Sequence, residues 1–147
     1  AAAALIERGT ADWPAERMAV VGSSLGGFYA TWLAGRRGCK SVVLNPAVEP
    51  ARDLAAHTGE QTAWHDPAER FFFRPEYVQE LRALRTGPLP APERCLAVIA
   101  QGDELLDWRE MAARYAGAAL RLIEGSDHAL SDFEHHIDAV LSFLDLL

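Results

Sequence analysis

Cysteines and long apolar runs are scarce in this sequence, and it lacks an excess of positive charge; each of these features argues against a class of protein. Two cysteines, Cys39 and Cys95, are too few for a disulfide framework and too far apart for a metal-binding motif. One lysine, Lys40, stands among 14 basic residues against 21 acidic ones, and the net charge of −7 argues against binding to nucleic acid or to an anionic membrane. No apolar run approaches the roughly 18 residues of a membrane span, and no signal peptide is visible. We therefore expect a cytoplasmic protein, in agreement with so few cysteines.

The residues that are present indicate one α/β domain over residues 1–147. Half of them are hydrophobic, which is enough for a sizeable core. Short apolar runs bounded by turn residues predict strands at 18–21, 41–44, 95–100 and 120–123. Apolar spacing and helix-forming residues predict helices at 1–8 and 26–34, then one carrying Trp108 and Tyr115, and a last one near the end. Strands alternating with helices indicate a parallel sheet, in which ligands bind beyond the carboxyl ends of the strands.

Glycine and capping residues predict where the helices begin and end. We expect Gly9 to end the first helix, and Gly35 and Gly38 to end the second. Ser131 followed by Glu134 is a capping-box pattern, which predicts that the last helix begins at this point.

Residues 46–93 differ from the rest of the chain, because prolines recur and the strand pattern disappears. Phe73, Tyr77, Leu81 and Leu84 have helical spacing, so we expect an amphipathic helix beginning near Pro75. The segment reads as an insertion over one end of the sheet. It is either a lid or an ordinary long connection.

The strongest motif is Gly-x-Ser-x-Gly at Gly22, Ser24 and Gly26, between a predicted strand and a predicted helix. This context is typical of a nucleophile elbow, in which a very tight turn holds the serine hydroxyl above the sheet. Side chains two residues before and after the serine would collide with the turn, so both positions are expected to need glycine. Ser23 does not fit this register, because Val21 and Leu25 stand at its offsets.

A serine nucleophile needs a histidine base, and five histidines are available. His57 and His65 lie in the insertion, and His135 and His136 are expected to be solvated on the last helix. His128 follows the last predicted strand, at the carboxyl end of the sheet. The chain order of serine, acid and histidine found in this type of site therefore favours His128 as the base.

The orienting acid should follow the strand before that one, where Gly-Asp-Glu occurs. Asp103 is nearest the strand end and is the first choice, whereas Glu104 is expected to point elsewhere. Asp107 is the alternative acid, although it also fits the N-cap of the next helix. Asp127 is adjacent in sequence to His128 and is a poor partner for its ring.

These residues would act as one unit in acyl transfer. Ser24 attacks the carbonyl carbon, His128 takes the serine proton, and Asp103 fixes the imidazole tautomer. The backbone N–H of Leu25 would donate to the oxyanion.

The sequence resembles the α/β-hydrolase superfamily, and within it the bacterial YqiA-like esterases. The matching segments are 20–34, 44–48, 101–107 and 124–130, and the match is weakest at 51–94. The resemblance implies a three-layer parallel sheet with helices on both faces. It also implies a cytoplasmic serine esterase that hydrolyses short-chain acyl esters with Ser24, Asp103 and His128 and needs no cofactor.

Two other classes of function stay open. One is a non-catalytic binding module with the same fold, and the other is a thioesterase or peptidase that uses the same triad. Oligomeric state is equally open.

One part of the family pattern is missing. Members begin with a strand and a His-Gly-Phe loop that supplies the second oxyanion donor, and nothing here matches that region. We therefore expect an N-terminally truncated domain, with one side of the elbow strand unpaired. We also expect poor activity from the chain as given and higher activity once that segment is restored.

Overall fold

The computed structural model describes residues 1–63 and 66–147, so His65 lies outside the described residues. The chain divides into two compact units, one formed by residues 1–48 and 86–147 and the other by residues 49–85. The helices are α1 (Ala2–Thr10), α2 (Leu25–Arg37), α3 (Pro50–Leu54), α4 (Pro75–Ala83), α5 (Trp108–Arg114) and α6 (Ile137–Phe143). The strands are β1 (Ala19–Ser23), β2 (Lys40–Leu44), β3 (Gly59–Thr62), β4 (Arg70–Phe73), β5 (Cys95–Ala100) and β6 (Ala119–Ile123). Among the residues described, no helix is long and apolar enough to cross a membrane.

The first unit is built on a parallel sheet with the strand order β1-β2-β5-β6. Ser23 is in register with Leu44, and Leu44 with Val98. All four strands therefore end at the same edge of the sheet, which is where parallel α/β sheets bind ligands. The predicted parallel α/β architecture is confirmed.

Both faces of the sheet are covered, because strand β5 is buried along its whole length. Cys95, Ala97 and Ile99 pack on one face with residues of α2 and α5. Leu96, Val98 and Ala100 pack on the other face with Val140 of α6. Alternation of side chains along a strand sends successive residues to opposite faces. The domain is consequently three-layered, as predicted.

Strand β1 differs from its prediction as a buried strand. Within the described part of the chain it pairs with β2 alone, and Val21 is 49% exposed. Of the expected helix ends, Gly38 is correct, because it takes φ 70° after α2. Gly9 and Gly35 lie inside α1 and α2, since a single glycine lowers helix stability without ending the helix.

The predicted capping box at Ser131 is wrong, because α6 begins at Ile137. The Ser131 hydroxyl donates to the Asp127 carboxylate at 2.6 Å, and its amide donates to the same group at 2.9 Å. Leu130 takes φ 52°, and a short 3₁₀ turn at Phe133–His135 precedes the helix. A carboxylate four residues earlier thus engages the serine that the sequence pattern assigned to a cap.

The second unit contains the predicted helix α4, which begins at Pro75 and buries Val78 and Leu81. It also contains an antiparallel hairpin of β3 and β4, which the sequence pattern does not predict. Its strands have four residues each, and β3 is mostly polar, so the apolar alternation that marks a strand is too short to detect. The role of residues 46–93 as a lid stays a prediction.

Candidate active site

Ser24 occupies the tight turn between β1 and α2. Its φ of 53° lies in the left-handed region, which costs a non-glycine residue about 1–3 kcal/mol. The turn is held by neighbouring backbone: the Ser24 amide donates to Leu44 O, and Ser24 O accepts from Ala47 N, both at 2.9 Å. The Ser24 side chain makes no capping bond to α2, so its hydroxyl remains available for other partners.

The glycines of this turn are needed for close approach, but not in the predicted pattern. A Cβ at Gly22 would lie 2.1 Å from the carbonyl oxygen of Gly26, so that position does require glycine. Apart from its chain neighbours and the backbone of its own helix, a Cβ at Gly26 would meet nothing within 4 Å, so the predicted collision there is wrong. Gly27 is the constrained position instead, because its Cβ would lie 2.7 Å from Cβ of Pro46.

His128 lies in the loop between β6 and α6, with 17% of its side chain exposed. Its Nε2 is 2.9 Å from Ser24 Oγ. Its Nδ1 is 2.7 Å from Asp103 Oδ2. A carboxylate can only accept, so the imidazole proton lies on Nδ1 and the Nε2 lone pair faces the serine hydroxyl. The structure therefore brings the three predicted side chains together in one chain of hydrogen bonds.

The Asp103 carboxylate is fully enclosed, with no exposed side-chain surface. Its second oxygen, Oδ1, accepts from the amides of Leu105 and Leu106, both at 2.8 Å. The carboxylate is therefore oriented by backbone donors as well as by the imidazole. The alternative acid, Asp107, caps α5 by accepting from Arg109 N at 2.9 Å.

Gly102 allows the acid loop to approach the histidine loop. Its amide donates to Gly125 O at 2.8 Å. A Cβ at Gly102 would lie only 2.3 Å from Ser126 O. A larger residue would push the two loops apart, and with them Asp103 and His128.

Leu25, the expected oxyanion donor, begins the helix that follows the serine turn. Leu25 is the first residue of α2, and the first amides of a helix have no intrahelical partner. It directly follows Ser24, which is the sequence position of an oxyanion donor in a nucleophile elbow.

Two contacts to the main chain of His128 were not expected from the sequence. Glu104, expected to point elsewhere, accepts from His128 N at 2.9 Å. Asn45 donates to His128 O at 3.0 Å. For Asn45, the sequence offered one indication: the Asn-Pro pair directly follows β2, at the edge of the sheet where the site lies.

The expectation that His136 is solvated is wrong, since it is 8% exposed. Arg121 donates to its Nδ1 at 3.2 Å, and its Nε2 donates to Asp132 at 3.1 Å. The hydroxyl of Ser126 and then His136 lower the pKa of Asp132. This cluster links β6 to the segment that follows the histidine loop.

The Asp127 carboxylate and the two cysteine thiols lie outside the hydrogen-bond chain of the site. The hydroxyl and amide of Ser131 lower the pKa of Asp127, so that carboxylate is engaged away from the His128 ring. Both cysteines are buried, which raises the pKa of the Cys39 and Cys95 thiols and agrees with a packing role. Within residues 1–63 and 66–147, no group of His, Cys, Asp and Glu is arranged to hold a metal ion.

Comparison with known proteins identifies the fold. The profile of a family described as Uncharacterised protein family (UPF0227) matches residues 1–145. Among solved structures, the chain is similar to alpha/beta hydrolase domain-containing protein 10 from mouse (18% identity, TM-score 0.70, 97% of this chain and 68% of that one). It is also similar to an esterase domain from Rhodothermus marinus (18% identity, TM-score 0.58, 99% of this chain and 64% of that one). A third similar structure is a monoacylglycerol lipase from Paleococcus ferrophilus (15% identity, TM-score 0.64, 99% of this chain and 75% of that one). The chain spans about two thirds of the length of these structures and shares the α/β-hydrolase fold.

Proposed function

The chain belongs to the UPF0227 family, and from its site geometry and its resemblance to YqiA-like esterases we propose that it is a serine hydrolase of small carboxylic esters. Ser24 is the nucleophile, His128 the general base and acid, and Asp103 the orienting carboxylate. The Leu25 amide is an oxyanion donor.

The continuous hydrogen-bond chain Asp103–His128–Ser24 carries this proposal, with contacts of 2.7 and 2.9 Å. Asp103 and His128 are 79 and 104 positions from Ser24 in sequence, yet the three side chains meet, and each presents the atom that the reaction needs. Ion-pair or packing roles do not require this order of atoms, whereas nucleophile activation does.

The reaction follows from these positions. As Ser24 Oγ bonds to the ester carbonyl carbon, its proton moves to His128 Nε2, and the carbonyl oxygen becomes an oxyanion that accepts from Leu25 N–H. The tetrahedral intermediate collapses, the bond to the alcohol oxygen breaks, and His128 returns the proton to that oxygen. A water molecule then repeats the sequence on the acyl-serine and releases the acid.

Asp103 contributes by holding one tautomer. Because its Oδ2 accepts from Nδ1–H, Nε2 is kept free of a proton until Ser24 supplies one. The carboxylate also stabilises the imidazolium that forms during each half of the reaction.

Small esters are the proposed substrates because of the resemblance to YqiA-like esterases. Two of the similar structures are named an esterase domain and a lipase, which agrees with ester substrates. The net charge of −7 agrees with an uncharged substrate rather than a polyanion.

Hydrolysis of p-nitrophenyl acetate and butyrate tests the proposal, with Ser24→Ala as the variant and Ser23→Ala as its matched control. Ser23 is the neighbouring exposed serine at the end of β1 and lies outside the hydrogen-bond chain. We expect Ser24→Ala to lose at least about 10³-fold in kcat/KM. Ser23→Ala is expected to stay within about threefold of the wild-type kcat/KM. Equal activities of the wild-type protein and Ser24→Ala would refute the proposal and leave a binding module as the better account.

A further inference from the structure

The main chain of His128 is held on both sides by side chains that take no part in the proton relay. We propose that Asn45 and Glu104 are positioning residues that clamp the backbone of His128 and thereby set the place of its ring. This inference rests on the proposed function, because it concerns the same base.

Asn45 supplies the clamp on the carbonyl side. It has no exposed surface, and its side-chain amide uses every polar atom. Nδ2 donates to Asp127 O and His128 O, both at 3.0 Å, and Oδ1 accepts from Ala100 N at 2.8 Å. Buried amides with full sets of partners have one defined orientation, so the two carbonyls are held relative to the end of β5.

The segment that carries Asn45 also fixes the nucleophile. Leu44 O accepts from Ser24 N, and Ala47 N donates to Ser24 O. Asn45 itself takes φ 40°, and its backbone N–H donates to Val98 O. Residues 44–47 therefore bond to the backbone of the serine directly and to that of the histidine through Asn45. One short segment thus sets the distance between the two reacting residues.

Glu104 supplies the clamp on the amide side. Its Oε2 accepts from His128 N at 2.9 Å, while the preceding residue, Asp103, accepts from the His128 ring at 2.7 Å. Two consecutive carboxylates therefore accept hydrogen bonds from the same histidine, Glu104 from its main chain and Asp103 from its ring. With the peptide groups fixed, the ring retains only its two side-chain torsions, and Asp103 restricts these.

The loop that carries His128 depends on such outside contacts. It leaves the sheet after β6, and two of its non-glycine residues, Ser126 and Leu130, take positive φ values of 59° and 52°. A loop with such residues is not positioned by a strand ladder. Backbone bonds such as that from Gly102 N to Gly125 O hold the start of the loop, and the side chains of Asn45 and Glu104 hold the peptide groups of His128 itself. Base catalysis requires this precision, with donor and acceptor about 3 Å apart.

Glu104→Ala and Glu104→Gln form a matched pair for the test, because glutamine keeps an acceptor oxygen and alanine does not. Glu104 is exposed, so both variants are expected to fold. On p-nitrophenyl butyrate we expect Glu104→Ala to lower kcat by about 10- to 100-fold with KM within twofold. Glu104→Gln should remain within about threefold of the wild-type kcat.

Asn45→Asp tests the other side. Aspartate has the size of asparagine, tolerates the positive φ and keeps an acceptor for Ala100 N. Its carboxylate cannot donate to the carbonyl oxygens of Asp127 and His128, so both of those bonds are lost. We expect a fall in kcat of at least about 100-fold together with a lower melting temperature. A fall in melting temperature with wild-type kcat would overturn the role of Asn45 in positioning.

The imidazole N–H signal of His128 in ¹H–¹⁵N NMR gives a readout that does not need activity. It should shift in Glu104→Ala and keep its wild-type position in Glu104→Gln. An unchanged signal and an unchanged kcat in Glu104→Ala would overturn the clamp. A wild-type protein that lacks esterase activity yet shows this pattern of shifts would refute the proposed function and leave the clamp standing.

Discussion

Substituting alanine at Gly22 and at Gly26 separates the motif prediction from the structural one. The Gly-x-Ser-x-Gly pattern treats the two glycines as equivalent. In the structure, a Cβ at Gly22 would lie 2.1 Å from a backbone carbonyl oxygen, whereas a Cβ at Gly26 would meet nothing within 4 Å beyond its chain neighbours and the backbone of its own helix. The obstructing atom belongs to the backbone of α2, so it cannot rotate away as a side chain could.

The sizes of the two effects follow from these distances. A contact about 1 Å too short forces β1 and α2 apart, and overpacking of this kind costs about 3 kcal/mol. At Gly26, a helical alanine replaces a helical glycine, which stabilises by up to about 1 kcal/mol. With a urea m-value of about 2 kcal/mol/M, Gly22→Ala should lower the midpoint by about 1.5 M and Gly26→Ala should raise it by up to about 0.5 M.

Urea unfolding followed by far-UV circular dichroism measures both midpoints. The wild-type protein and Gly27→Ala complete the series, and Gly27→Ala should be destabilised because its Cβ would lie 2.7 Å from Pro46. The reasoning fails if Gly26→Ala is destabilised as much as Gly22→Ala.

Three further predictions concern the two candidate acids, the glycine of the acid loop and the buried Tyr115. Asp103→Asn should lower kcat by about 10⁴-fold, as the same change does in serine proteases. Asp107→Ala should instead lower the free energy of unfolding by about 1 kcal/mol and leave kcat within a few fold of the wild-type value. Steady-state kinetics and urea unfolding of both variants check these expectations. Gly102→Ala should lower kcat by about tenfold or more, since its Cβ would lie 2.3 Å from Ser126 O; a wild-type kcat would contradict this. Burial raises the pKa of Tyr115 to about 12, above the unfolded value near 10. The un-ionised Tyr115 therefore contributes its full stabilisation of the folded state below pH 10. As the pH rises from 10 to 12, about 3 kcal/mol of this free energy of unfolding is lost. Tyr115→Phe should lose less stability over this range than the wild-type protein in urea unfolding at each pH.

The parts of this fold that the sequence predicts are those with strong local patterns. Strand β5 was predicted with its observed bounds because six consecutive apolar residues are flanked by turn signals. The choice of Ser24, Asp103 and His128 followed from chain order and position at strand ends, and their side chains meet in the structure. Their catalytic roles stay a prediction.

The parts that the sequence does not predict depend on contacts between distant segments. Nothing local shows that Glu104 reaches the amide of His128. The bond from the Ser131 hydroxyl to Asp127 spans only four residues, but it competes with the capping box that the same serine could form. The buried state of His136 likewise depends on Arg121, which lies in another element. Such partners compete with local patterns, and a pattern such as the capping box gives way when a nearer or stronger acceptor is present.

Intact-mass spectrometry after treatment with a fluorophosphonate tests the central claim, that Ser24 is a nucleophile activated by His128. The account predicts one covalent adduct, mapped to Ser24 by peptide analysis, which is absent in Ser24→Ala and forms much more slowly in His128→Ala. It also predicts that Ser23→Ala labels at the wild-type rate. Absence of an adduct on the wild-type protein, or labelling that survives in Ser24→Ala, would contradict the account.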